Sequence, residues 1–182
     1  MNTGKGLGIL GLALVISSCK GQPVPVEVGA VSWQRDLEPA YGQSENSGKP
    51  VLILFQEVPG CAGCQQFGRE VLSNPQIVEA IENEFVPVLV HNNRPGKDAE
   101  ILKSFGEPAW NFQVIRFLDS KGKDLIPRKD KVWTVPTVAA RMVKALEVAK
   151  REVPGYLRAL AGKELAAKSC LSPAPLASLK QS

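Results

Sequence analysis

One histidine, two methionines and four cysteines are spread over 182 residues, and only 6% of the side chains are aromatic. Each scarcity removes a class of function. Zinc wants four ligands; His91, the lone histidine, and one close thiol pair give three at most, and no second Cys-x-x-Cys completes the set. Four cysteines, two of them three residues apart, do not make the widely spaced pairs of an exported disulfide framework. No apolar run reaches the ~20 residues a membrane-crossing helix needs. The basic residues Lys121, Lys123, Arg128, Lys129 and Lys131 have no accompanying row of aromatics, and Asp119, Asp124 and Asp130 interleave them. That is the pattern of a solvated hairpin rather than a nucleic-acid surface. The net charge of +4 is mild, and no internal repeat is present.

What is there begins with an export signal. Lys5 precedes the apolar stretch Leu7 to Ile16, which is too short to span a bilayer. It ends in Ile16-Ser17-Ser18-Cys19, which resembles the lipobox of bacterial lipoproteins. That resemblance implies cleavage after residue 18, a diacylglycerol on Cys19, and a lipid-anchored protein of the bacterial cell envelope, on a periplasmic or other extracytoplasmic face. An ordinary secretory signal with Cys19 as a spare thiol is the alternative. Residues 19–31 read as a tether ending in a short edge strand, residues 32–166 as one globular domain, and residues 167–182 as a flexible tail. Cys170 falls in that tail and has no assigned role.

Within the domain, Ser32 predicts a cap for a helix from Trp33 to about Gln43, with Pro39 kinking or ending it. Val51 to Phe55, within a strand over 51–56, and Val86 to Val90 are continuous apolar runs of the kind buried on both faces of a sheet. Between them, Phe67 and Val71 mark a short helix that Gly68 weakens by ~1 kcal/mol relative to alanine. Ser73-Asn74-Pro75 restarts a helix carrying Ile77, Ile81 and Phe85. Two strands joined by helix make a βαβ unit with parallel pairing. Phe112 to Leu118, a turn at 119–123 and Asp124 to Ile126 then read as a hairpin, and a last helix runs from Pro136 or Thr137 to Lys150 with Thr134 as cap. Residues 154–166 add a short helix.

The reactive candidate is Cys61-Ala62-Gly63-Cys64, which directly follows the first strand and opens a helix. Unpaired N–H groups and the helix dipole favour a thiolate there. Cys64, one turn later, faces the same side and can resolve a mixed disulfide on Cys61. A structural or metal-binding pair is the bland alternative.

The order helix, strand, Cys-x-x-Cys helix, strand, hairpin, helix, with Lys49-Pro-Val-Leu-Ile-Leu-Phe55, resembles the thioredoxin superfamily over residues 32–150. Val58-Pro-Gly-Cys-Ala-Gly-Cys64 is similar, more narrowly, to the thioredoxin-like (seleno)proteins named for a Val-Pro-Gly-Sec-x-x-Thr motif. Cys61 takes the selenocysteine position in that likeness and Cys64 the threonine position. The resemblance implies an α/β fold, a three-layer α/β/α sandwich with a mixed central sheet, and a cis-proline loop against the pair. Of two candidates, Pro108 precedes the hairpin, where the topology needs it, and Pro136 suits a helix start. The chain departs from thioredoxin at three points. Ala-Gly separates the cysteines, Gly60 stands where tryptophan would precede Cys61, and Phe55 replaces the buried acid. Glu57, on the strand parity of Phe55, is either a proton acceptor for Cys64 or an exposed strand-end glutamate. His91 is either a proton relay or a structural histidine. Trp110 and Trp133 either line the site or pack in the core.

The expected function is a thiol–disulfide oxidoreductase in which Cys61 attacks and Cys64 releases, with Pro108 and Glu57 in support. It acts on a protein or small-molecule disulfide, is regenerated by an unidentified redox partner, and needs no cofactor and no nucleic acid. A copper or zinc carrier using the same thiols, and a redox-silent binding module, are the competing classes.

Overall fold

The computed structural model describes residues 24–109 and 113–162. Three strands form the sheet: β1 (Val51–Gln56), β2 (Val86–His91) and β3 (Val114–Leu118), in the order β2–β1–β3. β1 and β2 run parallel, in register from Val51 opposite Val86 to Gln56 opposite His91. β3 lies antiparallel on the other side of β1, pairing Val51 with Leu118. The sheet is therefore mixed. Every residue of the central strand is buried, and this is why Val51 to Phe55 reads as an unbroken apolar run.

The two-residue period of β1 divides the core. Leu52 and Leu54 point to a layer formed by α2 (Ala62–Glu70), α3 (Pro75–Glu84) and α5 (Val135–Val148), where Phe67, Ile77, Ile81, Met142 and Leu146 are buried. Ile53 and Phe55 point the other way, to Leu37 and Ala40 of α1 (Leu37–Ser47) and Leu102 of α4 (Lys97–Ser104). Helices on both faces of a mixed sheet give the α/β/α sandwich expected. Local chemistry sets the boundaries. The Asn74 side chain accepts from the N–H groups of Gln76 and Ile77, and Thr134 and Thr137 form a reciprocal capping pair that starts α5 with Pro136 in its first turn. Residues 155–162 are helical and bury Leu157 and Ala161.

Four details differ from the sequence reading. The first helix starts at Leu37, not Trp33, because Gln34 is extended and bridges Val88 at the sheet edge. Pro39 then falls in the first turn, where its missing N–H is not needed. α4 carries only one deeply buried apolar residue, Leu102, and its weak pattern left it unread. The hairpin's return arm shrinks to a bridge between Leu118 and Asp124, with Leu125 N–H donating to Phe117 O at 2.8 Å; Pro127 has no N–H to continue the ladder. Residues 26–31, read as the end of a tether, pack on α2 instead. Val26–Val28 form a short 3-10 turn, and Val28 and Val31 are buried in the core. A β-carbon on Gly68 would lie 1.9 Å from the Val26 carbonyl oxygen, so the residue that weakens α2 is the one that lets this segment dock.

Candidate active site

β1 ends at Gln56, and after four intervening residues the chain turns into α2 with Cys61 as its N-cap, extended at φ −68° and ψ 172°. The Cys61 and Cys64 sulfurs lie 3.3 Å apart as free thiols. Their surroundings are unequal. Cys61 is exposed, whereas Cys64 is 1% exposed. The Cys61 thiol is held below its ordinary range, first by the backbone N–H of Cys64 and then by the Cys64 thiol, with the Gly63 N–H adding. Partial burial and the Glu57 carboxylate oppose this more weakly. Cys64 is pushed up to about 12, foremost by burial, then by donating its S–H to Cys61 and by the charge on that sulfur. One thiol is made to ionise and the other to stay protonated.

The loop that carries Cys61 is fastened by side chains from distant segments. Asn93, just past β2, accepts the Val58 N–H through Oδ1 at 3.2 Å and donates through Nδ2 to the Pro59 carbonyl at 3.1 Å. Arg94 donates to the Val58 carbonyl at 3.3 and 3.4 Å. From the docked 3-10 turn, the buried Glu27 accepts the Gly60 N–H at 2.9 Å. The fully buried Gln56 joins the two halves by donating to the carbonyls of Glu27, at 2.7 Å, and Cys64, at 3.3 Å. Gly60 has no room for a side chain: a β-carbon would sit 2.5 Å from the Glu57 carbonyl oxygen and 2.7 Å from the Cys64 β-carbon. The tryptophan of thioredoxin could not occupy this position.

Glu57 is brought to the pair. Its carboxylate and the two sulfurs lie within 4.8 Å of one another, the one such cluster among the described residues. It arrives by the loop beyond the strand end, not by strand parity with Phe55, whose ring lies on the α1–α4 face. The β1 side chain that bonds the helix carrying the pair is Gln56, through the Cys64 carbonyl.

The proline assignment is corrected. The cis peptide bond is Val58–Pro59, and neither Pro108 nor Pro136 has one. Pro108 lines a cavity beside the loop. What reaches the pair from the segment before β3 is Gln113, whose Oε1 lies 3.8 Å from the Cys64 sulfur. A search for proline at that turn passes over a glutamine doing the touching.

His91 stands apart from the thiols. Its Nδ1 lies 3.8 Å from Asp98, yet its pKa is lowered to about 4, chiefly by burial and then by Arg35. Asp98 already pairs with Arg35 at 2.6 Å, so the imidazole is neutral and the 3.8 Å approach is not an ion pair at neutral pH. The third donor beside the thiols is Glu57 rather than His91. Trp133 is 36% exposed rather than core. Cys19, Trp110 and Cys170 lie outside the described residues. Glu27, Asn93, Arg94 and Gln113 escaped the sequence reading; the signal for Glu27 was an acid set between two valines.

Residues 32–119 match the profile of a family described as thioredoxin-like. Among solved structures, the chain is similar to a DsbH oxidoreductase, with a TM-score of 0.52 at 20% identity over 79% of this chain and 96% of that one. No curated protein matches the chain. The fold is thioredoxin-like.

Proposed function

We propose that the protein is a thiol–disulfide oxidoreductase whose nucleophile is Cys61 and whose resolving thiol is Cys64. The observation that carries this is the opposed environment of two sulfurs 3.3 Å apart. The Cys61 thiolate attacks one sulfur of a substrate disulfide, forming a mixed disulfide and expelling the first substrate thiolate. The charge that held Cys64 protonated is thereby removed from Cys61. Cys64 then gives up its proton, with the Glu57 carboxylate nearby as acceptor, and attacks the Cys61 sulfur. A Cys61–Cys64 disulfide forms and the second substrate thiolate leaves. Two electrons pass from the dithiol to the substrate, and the reverse sequence oxidises it.

Gln113, rather than a cis-proline, meets the incoming chain on the side before β3. The lipobox-like segment supports anchoring through Cys19 in a bacterial envelope. The Val-Pro-Gly-Cys likeness supports a peroxide as an alternative oxidant through a sulfenic acid at Cys61. Among the described residues no helix is long and apolar enough to cross a membrane.

Equilibration in glutathione buffers, with free thiols counted by alkylation and intact mass, tests the reading in a protein lacking Cys19 and Cys170. A reversible two-electron transition between ~−270 and ~−120 mV is expected. Thiols that never pair would overturn it. One observation favours a second reading as a thiophilic metal carrier: Glu57, Cys61 and Cys64 present three donors together. Metal bound at unit stoichiometry after purification, lost on replacing Cys61, would select it.

A further inference from the structure

The structure points to a subsite for a low-molecular-weight disulfide bearing carboxylates, in the cavity between the β2–α4 loop and residues 106–109. The inference rests on the exchange activity proposed above and names its substrate class. The cavity measures about 660 Å³ and is lined by Asn93, Arg94, Leu102, Lys103, Glu107 and Pro108 among others. That is the size of a small-molecule pocket rather than of a surface that grips a folded partner.

One of its walls holds the loop that carries Cys61. Asn93 and Arg94, on that wall, hold the Val58 and Pro59 backbone three and two residues before Cys61. The other wall is formed by residues 106–109. A molecule seated there lies alongside the nucleophile's loop.

Charge selects the ligand. Among the described residues Glu107 is the cavity's one carboxylate, and it is buried against Arg116 at 3.1 Å and Arg128 at 2.6 Å. Arg94 bonds only the Val58 carbonyl, and neither it nor Lys103 has a carboxylate within ion-pair distance among the described residues. Two cations over an apolar floor of Leu102 and Pro108 suit a compact acid. The Arg94 guanidinium has N–H groups left to bind a carboxylate in the plane. A neutral disulfide would leave both cations unanswered.

The test compares two disulfides of similar size, the dicarboxylate dithiodipropionate and the neutral hydroxyethyl disulfide. Each is reduced in a single turnover by the dithiol form of wild type, Lys103→Gln and Arg94→Gln. The readout is the ratio of the two second-order rate constants. Wild type should favour the dicarboxylate, and each variant should lower the ratio by about three- to fivefold, the effect of one exposed ion pair. The preference should vanish at about 1 M salt, where such pairs are screened. A ratio that Lys103→Gln leaves unmoved, or a fall shared equally by both disulfides, would overturn the subsite. In the second case Arg94 serves only to hold Val58. If wild type reduces neither disulfide, the exchange reading is what fails. The subsite is then judged by calorimetric binding of dithiodipropionate to Cys61→Ser: binding weakened by Lys103→Gln sustains it, and no binding ends it.

Discussion

Alkylation at neutral pH should find Cys61 and leave Cys64 untouched. An ordinary thiol with a pKa of ~8.5 is about 3% thiolate at pH 7. Cys64, pushed up to about 12, is ionised to roughly one part in 100,000. Ionisation alone therefore separates Cys64 from an ordinary thiol by more than about 1,000-fold. The downward shift of Cys61 widens the gap, and the 1% exposure of Cys64 widens it again. A pulse of iodoacetamide on the dithiol form of the protein lacking Cys19 and Cys170, read by intact mass and peptide mapping, should give a single adduct at Cys61. The rate against pH should rise with a midpoint below that of a free cysteine. In Cys61→Ser the Cys64 sulfur loses its neighbour's charge but keeps its burial, so it should stay slow. Equal labelling of the two, or Cys64 reacting first, would refute the assignment of nucleophile and resolving thiol.

Replacing Glu57 by glutamine removes a charge that raises both thiols. Cys61 should alkylate a few-fold faster below its pKa, while release of the mixed disulfide slows, and stopped-flow separation of the two steps checks the opposed signs. Gly68→Ala should lower the Tm, although alanine improves an exposed helix by ~1 kcal/mol, because its β-carbon would sit 1.9 Å from the Val26 carbonyl oxygen. His91, with a folded pKa of about 4 against 6.5, takes up its proton less readily folded than unfolded. Its contribution is fully present above pH 6.5 and lost as the pH falls from there towards 4, at up to ~1.4 kcal/mol per pH unit. His91→Gln should flatten that slope in denaturant titrations at pH 7 and 4.5.

The sheet strands and most helices were legible because burial on two faces, or on one helical stripe, imposes a period that the chain must carry. Val51 to Gln56 and the Asn74 and Thr134 caps are of that kind. The dithiol was legible for the same reason, since its chemistry depends on local placement at a strand–helix junction. What stayed hidden depends on contacts between segments far apart in sequence. Nothing near Glu27 announces that it meets Gly60, 33 residues on, and nothing near Asn93 announces Val58. Gln113 shows a second limit. The resemblance directed attention to proline, whereas the chain offers the pair a polar side chain, and Pro108 lines the neighbouring cavity instead. Gly68 shows a third, because local propensity counts as a defect what packing requires.

The docked turn at Val26–Val28 also changes where the working unit begins. The family profile starts at residue 32, yet the hydrogen bond that fixes Gly60 comes from residue 27. A protein whose leading end is trimmed to residue 32 would keep the sandwich and both cysteines while freeing the end of the loop that aims the first. Tension on the leading segment would likewise be transmitted to the nucleophile's own backbone before it reached the sheet. The stretch that looks like a leash is the near end of the reactive loop's suspension.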